Sequence, residues 1–429
     1  MILLNARVPA CLAGGDGDAL TPVSLRLRGD RIEAVSQDPT GASMAATGEV
    51  GRAGEECIDC AGGIVVPAFS DMHTHLDKGH IWPRTPNPDG TFDGALHATM
   101  ADQRAHWSAA DVRARMEFSL TTAYAHGTAE IRTHIDTLED QGEISWPVFA
   151  EVREAWADRI ALQGVSLTGI DVLPDDVGPL FDLVTQHGGI VGAVLYPVPS
   201  LVPQLRALME EAERRGLDID FHSDESLDPS SNCLAAVAAE AERIGFSGQI
   251  TCGHCCSLMT MSDSDADRTL DAVAAQNIAV VSLPLCNMYL QDRQAGRTPR
   301  IRGGTLVHEM AARGIAVAIA SDNTRDPFFA YGDLDMAEVW REATRILHLD
   351  HPVGDWPRAF SATPSAIMGQ PVRTVEEGMP ADLVIFGARE WTELFASHES
   401  ARNVIRRGVP IEAAPPLYSE LDTLWTSHP

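Results

Sequence analysis

The chain has 429 residues, with 61 Asp and Glu against 32 Lys and Arg, for a formal net charge of −29. So acidic a chain argues against nucleic acid or anionic membrane as partner, since both need a cationic face. No run of 18 or more apolar residues is present, so no bilayer-spanning segment is expected. Lysine occurs once, at Lys78, so any chemistry that needs a lysine must use that residue.

The hydrophobic fraction of 45% is ordinary for a globular protein that buries a large core. MILLNARVPACL shows no charged segment followed by an apolar one, so no secretory signal is expected. Eight cysteines are too few for a disulfide scaffold, and a reducing cytoplasm is the expected compartment.

Residues 1–66 contain short apolar stretches broken by Gly, Asp and Pro: Met1–Leu4, Val23–Leu27, Ile32–Val35 and Gly63–Val66. They predict short antiparallel strands, with Thr40–Glu56 as a Gly/Ala-rich loop. From Ile64 onward the pattern changes. Compact apolar runs at Ile64–Phe69, Glu130–Ile135, Ala161–Leu167, Ile190–Leu195, Leu217–Phe221, Gln249–Cys252, Ile278–Leu283 and Ile315–Ala320 alternate with helical stretches. One of these, Val202–Arg215, ends on Gly216 as a helix stop.

Near-continuous apolar strands alternating with helices predict a parallel sheet covered on both faces. Eight such units predict an α/β fold, a closed (β/α)8 TIM-type barrel, over residues 67–369. Strand texture returns at Ala381–Phe386 and Asn403–Val409. Residues 1–66 and 370–429 are therefore expected to form a small β-sandwich domain from both chain ends.

In such a barrel the catalytic groups lie at the C-terminal ends of strands. The first run leads into Asp71-Met-His73-Thr-His75, the second ends in His134-Ile-Asp136, and the fifth in His222-Ser-Asp224-Glu225. The sixth ends in Gly253-His254 and the eighth in Ser321-Asp322-Asn323, whereas the third and fourth end in Thr168 and Tyr196-Pro197. His73 and His75, two apart on a strand, point to one face. Two neutral imidazoles converging there predict a metal site, with His222 and Asp322 as further ligands. Three His and one carboxylate suit zinc with room for a water. His134 is equally well explained as a hydrogen-bonded core histidine.

PAFSDMHTHLDKG, EIRTHID, DFHSDES, CGHCC, PLCNMYLQDR, ASDNTRDPF and EEGMPADLVIF resemble, in order, the segments of the amidohydrolase superfamily, and within it the bacterial cytosine deaminase branch. The resemblance covers most of the chain. It implies that His73, His75, His222 and Asp322 hold one divalent metal, zinc first and iron second. It also implies that Glu225 shuttles a proton to a ring nitrogen, that His254 lies beside the activated water and the reacting carbon, and that Asp322 accepts that water's proton. The implied reaction replaces an amino group on a nitrogen heterocycle (a pyrimidine, triazine or related ring) with a carbonyl and releases ammonia. The implied assembly is a homo-oligomer.

The sequence departs from the branch in the substrate pocket. The Phe-Pro-Gln that cytosine deaminases place after strand 3 is replaced by Val165-Ser-Leu-Thr168-Gly169, and Phe328 stands where they have Trp. Lys78 resembles instead the His-x-x-Asp-Lys context of the N-isopropylammelide hydrolases, which share Ser321–Asp326 but lack Glu225. Lys78, Asn287, Gln291 and Phe328 are the candidate substrate contacts. Removal of an alkylamine from a related heterocycle, or opening of one, is the alternative reaction. Binuclear superfamily members use a carboxylated Lys after strand 4; here that strand ends in Leu195-Tyr196, which predicts a single metal.

Two other classes compete. Cys252-Gly-His-Cys255 has a thiol–disulfide oxidoreductase pattern, but that chemistry needs a helix N-terminus, and this motif ends an apolar run. A metal-free scaffold on the same fold would be expected to have lost ligands.

Overall fold

A computed structural model of the chain describes residues 1–42, 56–301, 303–396 and 402–426. Most of the expected Thr40–Glu56 loop lies outside the described residues. The strands in chain order are β1 (Ile2–Pro9), β2 (Leu20–Arg28), β3 (Arg31–Ser36), β4 (Cys57–Asp59), β5 (Val65–Pro67), β6 (Phe69–Thr74), β7 (Thr128–Asp136) and β8 (Ala161–Leu167). They continue with β9 (Val191–Leu195), β10 (Ile219–Ser223), β11 (Ile250–His254), β12 (Ala279–Ser282), β13 (Val317–Ile319), β14 (Leu383–Phe386), β15 (Arg402–Arg406) and β16 (Val409–Pro410).

The chain ends build two four-stranded sheets, ordered β3-β2-β1-β4 and β16-β15-β14-β5. The first is antiparallel except for the parallel β1–β4 pair, and the second is antiparallel. One expected strand divides in two. The run Ile64–Phe69 breaks at Ala68, so that β5 pairs with β14 while β6 carries the first histidine into another sheet. The Ala68 amide makes the last bond of the first ladder, to the Asp382 carbonyl at 2.8 Å, and the Phe69 amide turns to the Gly127 carbonyl at 3.0 Å.

The remaining strands are α/β in character. β9 to β13 form a five-stranded parallel sheet, ordered β13-β12-β11-β10-β9, and β6, β7 and β8 form a three-stranded one. Isolated parallel bridges link Val165 to Ile190 and Gly169 to Val194 at one margin, and Thr74 to Asp322 at the other. β6, β7, β10 and β11 are buried along their whole length, the pattern of strands covered on both faces. The helix Leu201–Arg215 stops where expected, at Gly216, whose φ of 65° lies in the left-handed region that glycine adopts without strain.

The chain falls into two compact units: Met1–Asp71 with Ala123–Glu130 and Met336–Pro415, and Met72–Thr122 with Ile131–Asp335 and Pro416–Pro429. This grouping differs from the expected 1–66 plus 370–429 and 67–369. Trp340 packs on Phe360, Trp391 and Phe395 at ring separations of 5.4, 5.9 and 5.7 Å, which ties its helix to the short helices Trp356–Phe360 and Trp391–Ala396 of the same unit. Tyr418 instead packs on Arg325 at 4.1 Å and Phe118 at 5.9 Å, which ties the last residues to the second unit. Among the described residues no helix is long and apolar enough to cross a membrane.

Candidate active site

Strand periodicity places the polar residues in tiers, because residues two apart point to one face. On β7, Arg132, His134 and Asp136 share a face; on β10, Asp220 and His222 do. The lowest tier is an ion pair: Arg132 donates to Asp220 at 2.7 Å and to Gln163 of β8 at 3.0 Å. A buried charge pair of this kind depends on its hydrogen bonds; Asp220 Oδ2 takes Arg132, while its Oδ1 makes none.

The next tier is a cluster of imidazoles. The Nε2 atoms of His73 and His222 lie 3.2 Å apart, those of His222 and His75 3.3 Å apart, and His75 Nε2 is 3.2 Å from Asp322 Oδ1. His73 Nε2 is 3.8 Å from the same oxygen. Burial, and then the charge of neighbouring histidines and Lys78, pushes His73, His75 and His222 well below the ordinary imidazole value, so all three are neutral. Three lone-pair nitrogens and a carboxylate oxygen directed at one point cannot all be satisfied by protons on one another. A divalent cation satisfies them together, and the donor set suits zinc.

The structure also resolves the part played by His134. Its Nε2 lies 3.1 Å from His73 Nδ1. With His73 Nε2 directed at the cluster, its Nδ1 would carry the proton and donate to His134, an imidazole where a carboxylate, carbonyl or water more often orients a ligating histidine. A second arrangement, His73 with His134 and His222, also brings ligand atoms together, but it would cost His73 that partner.

Above the cluster sit His254, Glu225 and Asn287. His254, at the end of β11, and Asp322, just past β13, both have φ of 69°, a strained conformation for residues with a Cβ. Asn287, from the helix Pro284–Leu290, directs its amide nitrogen at Glu225 Oε1 (3.2 Å) and at His254 Nδ1 (3.0 Å). An amide N–H donates, so His254 Nδ1 accepts and its proton resides on Nε2, which has no protein partner. Burial holds His254 at about 3, hence neutral. Glu225 is raised well above the ordinary carboxyl range by burial and then by Asp322, which favours its protonated form.

Lys78 is buried, with Nζ 3.8 Å from Asp136 Oδ1 and 4.9 Å from the centre of the Phe328 ring. Burial pulls its value down, but Asp136, Asp326, Asp77 and Asp322 outweigh that and keep it charged. Asp77 is itself raised to about 7 by burial and then by Asp136, and it accepts from the Asp136 amide at 2.7 Å. Asp326 takes the amides of Phe328 and Phe329 at 2.8 and 3.1 Å, which shapes the loop that presents Phe328.

These groups border a cavity with about 670 Å³ of empty space counted to its open mouth. His75, Lys78, His222, Glu225, His254, Asp322 and Phe328 line it. Asn287 touches it through Glu225 and His254. Gln291 does not line it; it is buried after the Pro284–Leu290 helix, beside the Cys256 thiol. Reading strand ends missed the wall supplied by the helix Phe92–His106, which presents Phe92, Leu96, Thr99, Met100 and Gln103. Its i, i+4, i+7, i+8, i+11 spacing is the signal that identifies this face. Cys252 and Cys255 are buried thiols raised well above their ordinary value by that burial, the reverse of what a redox motif needs.

The family model described as "Amidohydrolase family" matches residues 181–411. The pterin deaminase of Rhizobium rhizogenes (strain K84) is 49% identical over 430 residues, covering 99% of this chain and 96% of that protein. Among solved structures, 5-methylcytosine deaminase from Klebsiella pneumoniae liganded with 5-fluorocytosine superposes with a TM-score of 0.81 at 24% identity, covering 97% of this chain and 98% of that one. N-isopropylammelide isopropylaminohydrolase from Burkholderia multivorans gives 0.72 at 22% identity, covering 96% and 97%.

Proposed function

The chain belongs to the amidohydrolase family, hydrolases that act on C–N bonds, and from that premise we propose that it is a cytoplasmic, mononuclear metal-dependent deaminase of a pterin. In this reading the two parallel sheets, bridged at both margins, close into one (β/α)8 barrel, and the sheets of the chain ends form the small sandwich. The observation that carries it is the meeting of His75, His222, Asp322, His254 and Glu225 at one cavity, with His73 Nε2 3.2 Å from His222 Nε2. The 49% identity to a pterin deaminase along the whole chain supports the choice of ring.

His73, His75, His222 and Asp322 would hold the metal, and His134 orients His73. When bound, a divalent ion there supplies Lewis-acid activation of water at neutral pH. The chain's own groups handle the protons. Asp322 takes the proton that the attacking water loses. Glu225 gives its proton to the ring nitrogen beside the attacked carbon, so negative charge does not build on the ring. The Nε2–H of His254 donates to the oxygen that becomes the carbonyl. The C–N bond then breaks as Asp322 returns its proton to the leaving amino group; ammonia departs, and the hydroxyl becomes the carbonyl by giving its proton back to Glu225. Lys78 and Phe328 hold the flat ring, the first by charge and the second by its face.

The test is ammonia release from pterin, cytosine, 2-aminopyrimidin-4-one and an aminotriazine, with metal quantified. About one zinc or iron per chain, turnover of pterin above the monocyclic rings, and loss and recovery of activity on chelation and reloading are expected. Full activity without metal, or no release from any of the four, would overturn the reading.

A further inference from the structure

The helix Phe92–His106 is held as a fixed wall. Thr91 caps it by accepting from Gly94 N at 3.0 Å, and Asn87 fastens its entry to the Pro327 carbonyl at 3.0 Å. At the other end Asp102 is fully engaged by Arg84 at 2.7 and 2.8 Å and by Trp107 Nε1 at 2.8 Å. The face turned to the cavity is different. Between Phe92, Leu96 and Met100 it carries Thr99, 3% exposed, and Gln103, 8% exposed. Thr99 Oγ1 and Gln103 Nε2 are both buried with no hydrogen-bond partner. Thr99 does not make the bond to the carbonyl four residues back that helical threonines commonly make.

Two polar groups one helical turn apart, on an otherwise apolar face, are neighbours in space. Leaving each buried and unpaired costs free energy that a ligand can recover. The stretch after β8, Leu167, Thr168 and Gly169, also lines the cavity and offers no amide side chain.

We propose that Thr99 and Gln103 are the specificity-determining pair of this pocket, donating hydrogen bonds to two acceptor atoms on the edge of a fused bicyclic substrate remote from its amino group. This rests on the pterin reading. In a pterin the ring carbonyl oxygen and the nitrogen of the second ring beside it project side by side, and both accept. A hydroxyl and an amide N–H on one rigid wall match that pair. A monocyclic aminopyrimidinone offers the carbonyl alone.

Thr99→Val and Gln103→Met keep shape and remove the donors. Each is expected to raise KM for pterin about 10- to 100-fold, with kcat within a few-fold. The affinity for the 2,4-dioxopteridine product, measured by fluorescence, should weaken by the same factor. Metal content and Tm should stay at wild-type values, and the preference for pterin over 2-aminopyrimidin-4-one should shrink. Gln103→Glu, which keeps the size and polarity but exchanges donor for acceptor, should show the same defect. Wild-type KM and product affinity in all three variants would overturn the inference alone, as would equal losses on both substrates. No ammonia release from pterin by the wild-type, metal-loaded chain would overturn the substrate reading and this inference together.

Discussion

The Nε2 atoms of His73 and His222 stand 3.2 Å apart, and His222 has a second imidazole nitrogen, that of His75, at 3.3 Å. One proton can bridge one such pair and leaves the third nitrogen facing a lone pair. Burial keeps all three rings neutral, so protonation does not relieve the conflict; a shared cation would.

The position of His73 within that group depends on a glycine. A Cβ built on Gly253 of β11 would meet His73 Cε1 at 2.8 Å and Nδ1 at 3.0 Å. His73 cannot swing aside without losing His134, 3.1 Å from Nδ1. Gly253→Ala should therefore fold, as judged by circular dichroism, and bind metal about 10-fold more weakly or worse in chelator competition. Wild-type metal affinity would show that the cluster tolerates displacement of this ring.

Lys78 sits between Asp136 and the Phe328 ring, at 3.8 and 4.9 Å. Lys78→Arg keeps the charge, but a planar guanidinium does not fit where a compact ammonium does. A fall of about 10-fold or more in kcat/KM is expected, with metal retained. Lys78→Met should in addition lower unfolding stability by about 3 kcal/mol, since it strands buried carboxylates. Unchanged kcat/KM in Lys78→Arg would remove this residue from the substrate site.

Asn287 sets the protonation of its neighbours by donating at 3.0 Å to His254 and at 3.2 Å to Glu225. Asn287→Ala is expected to lower kcat by about 10- to 100-fold with KM and metal content near wild type. Asn287→Asp should be worse, because an accepting oxygen draws the His254 proton from Nε2 to Nδ1 and opposes the negative charge that Glu225 takes on when it gives up its proton. Equal activity in the Ala and Asp variants would contradict the tautomer assignment.

The residues that meet at the cavity were legible in the sequence where strand geometry speaks for them. His75, His222, Glu225, His254 and Asp322 each stand at the end of an apolar run and line the cavity, with His73 beside His222 at 3.2 Å. The split of Ile64–Phe69 into β5 and β6 was not legible, because an apolar run looks the same whether it serves one ladder or passes from one to another. Thr99 and Gln103 were missed because they come from a helix after β6, away from every strand end. Gln291 shares a segment with Asn287, yet it follows the helix end and turns to Cys256. His134 gave no sign of its role until its distance to His73 was known.

The most direct test of the proton-shuttle deamination is Glu225→Gln, measured for ammonia release from pterin, metal content and product binding on the same preparation. Expected is a loss of turnover of about 10³-fold, with about one metal per chain and near-wild-type product affinity. Near-normal turnover with metal bound would contradict it.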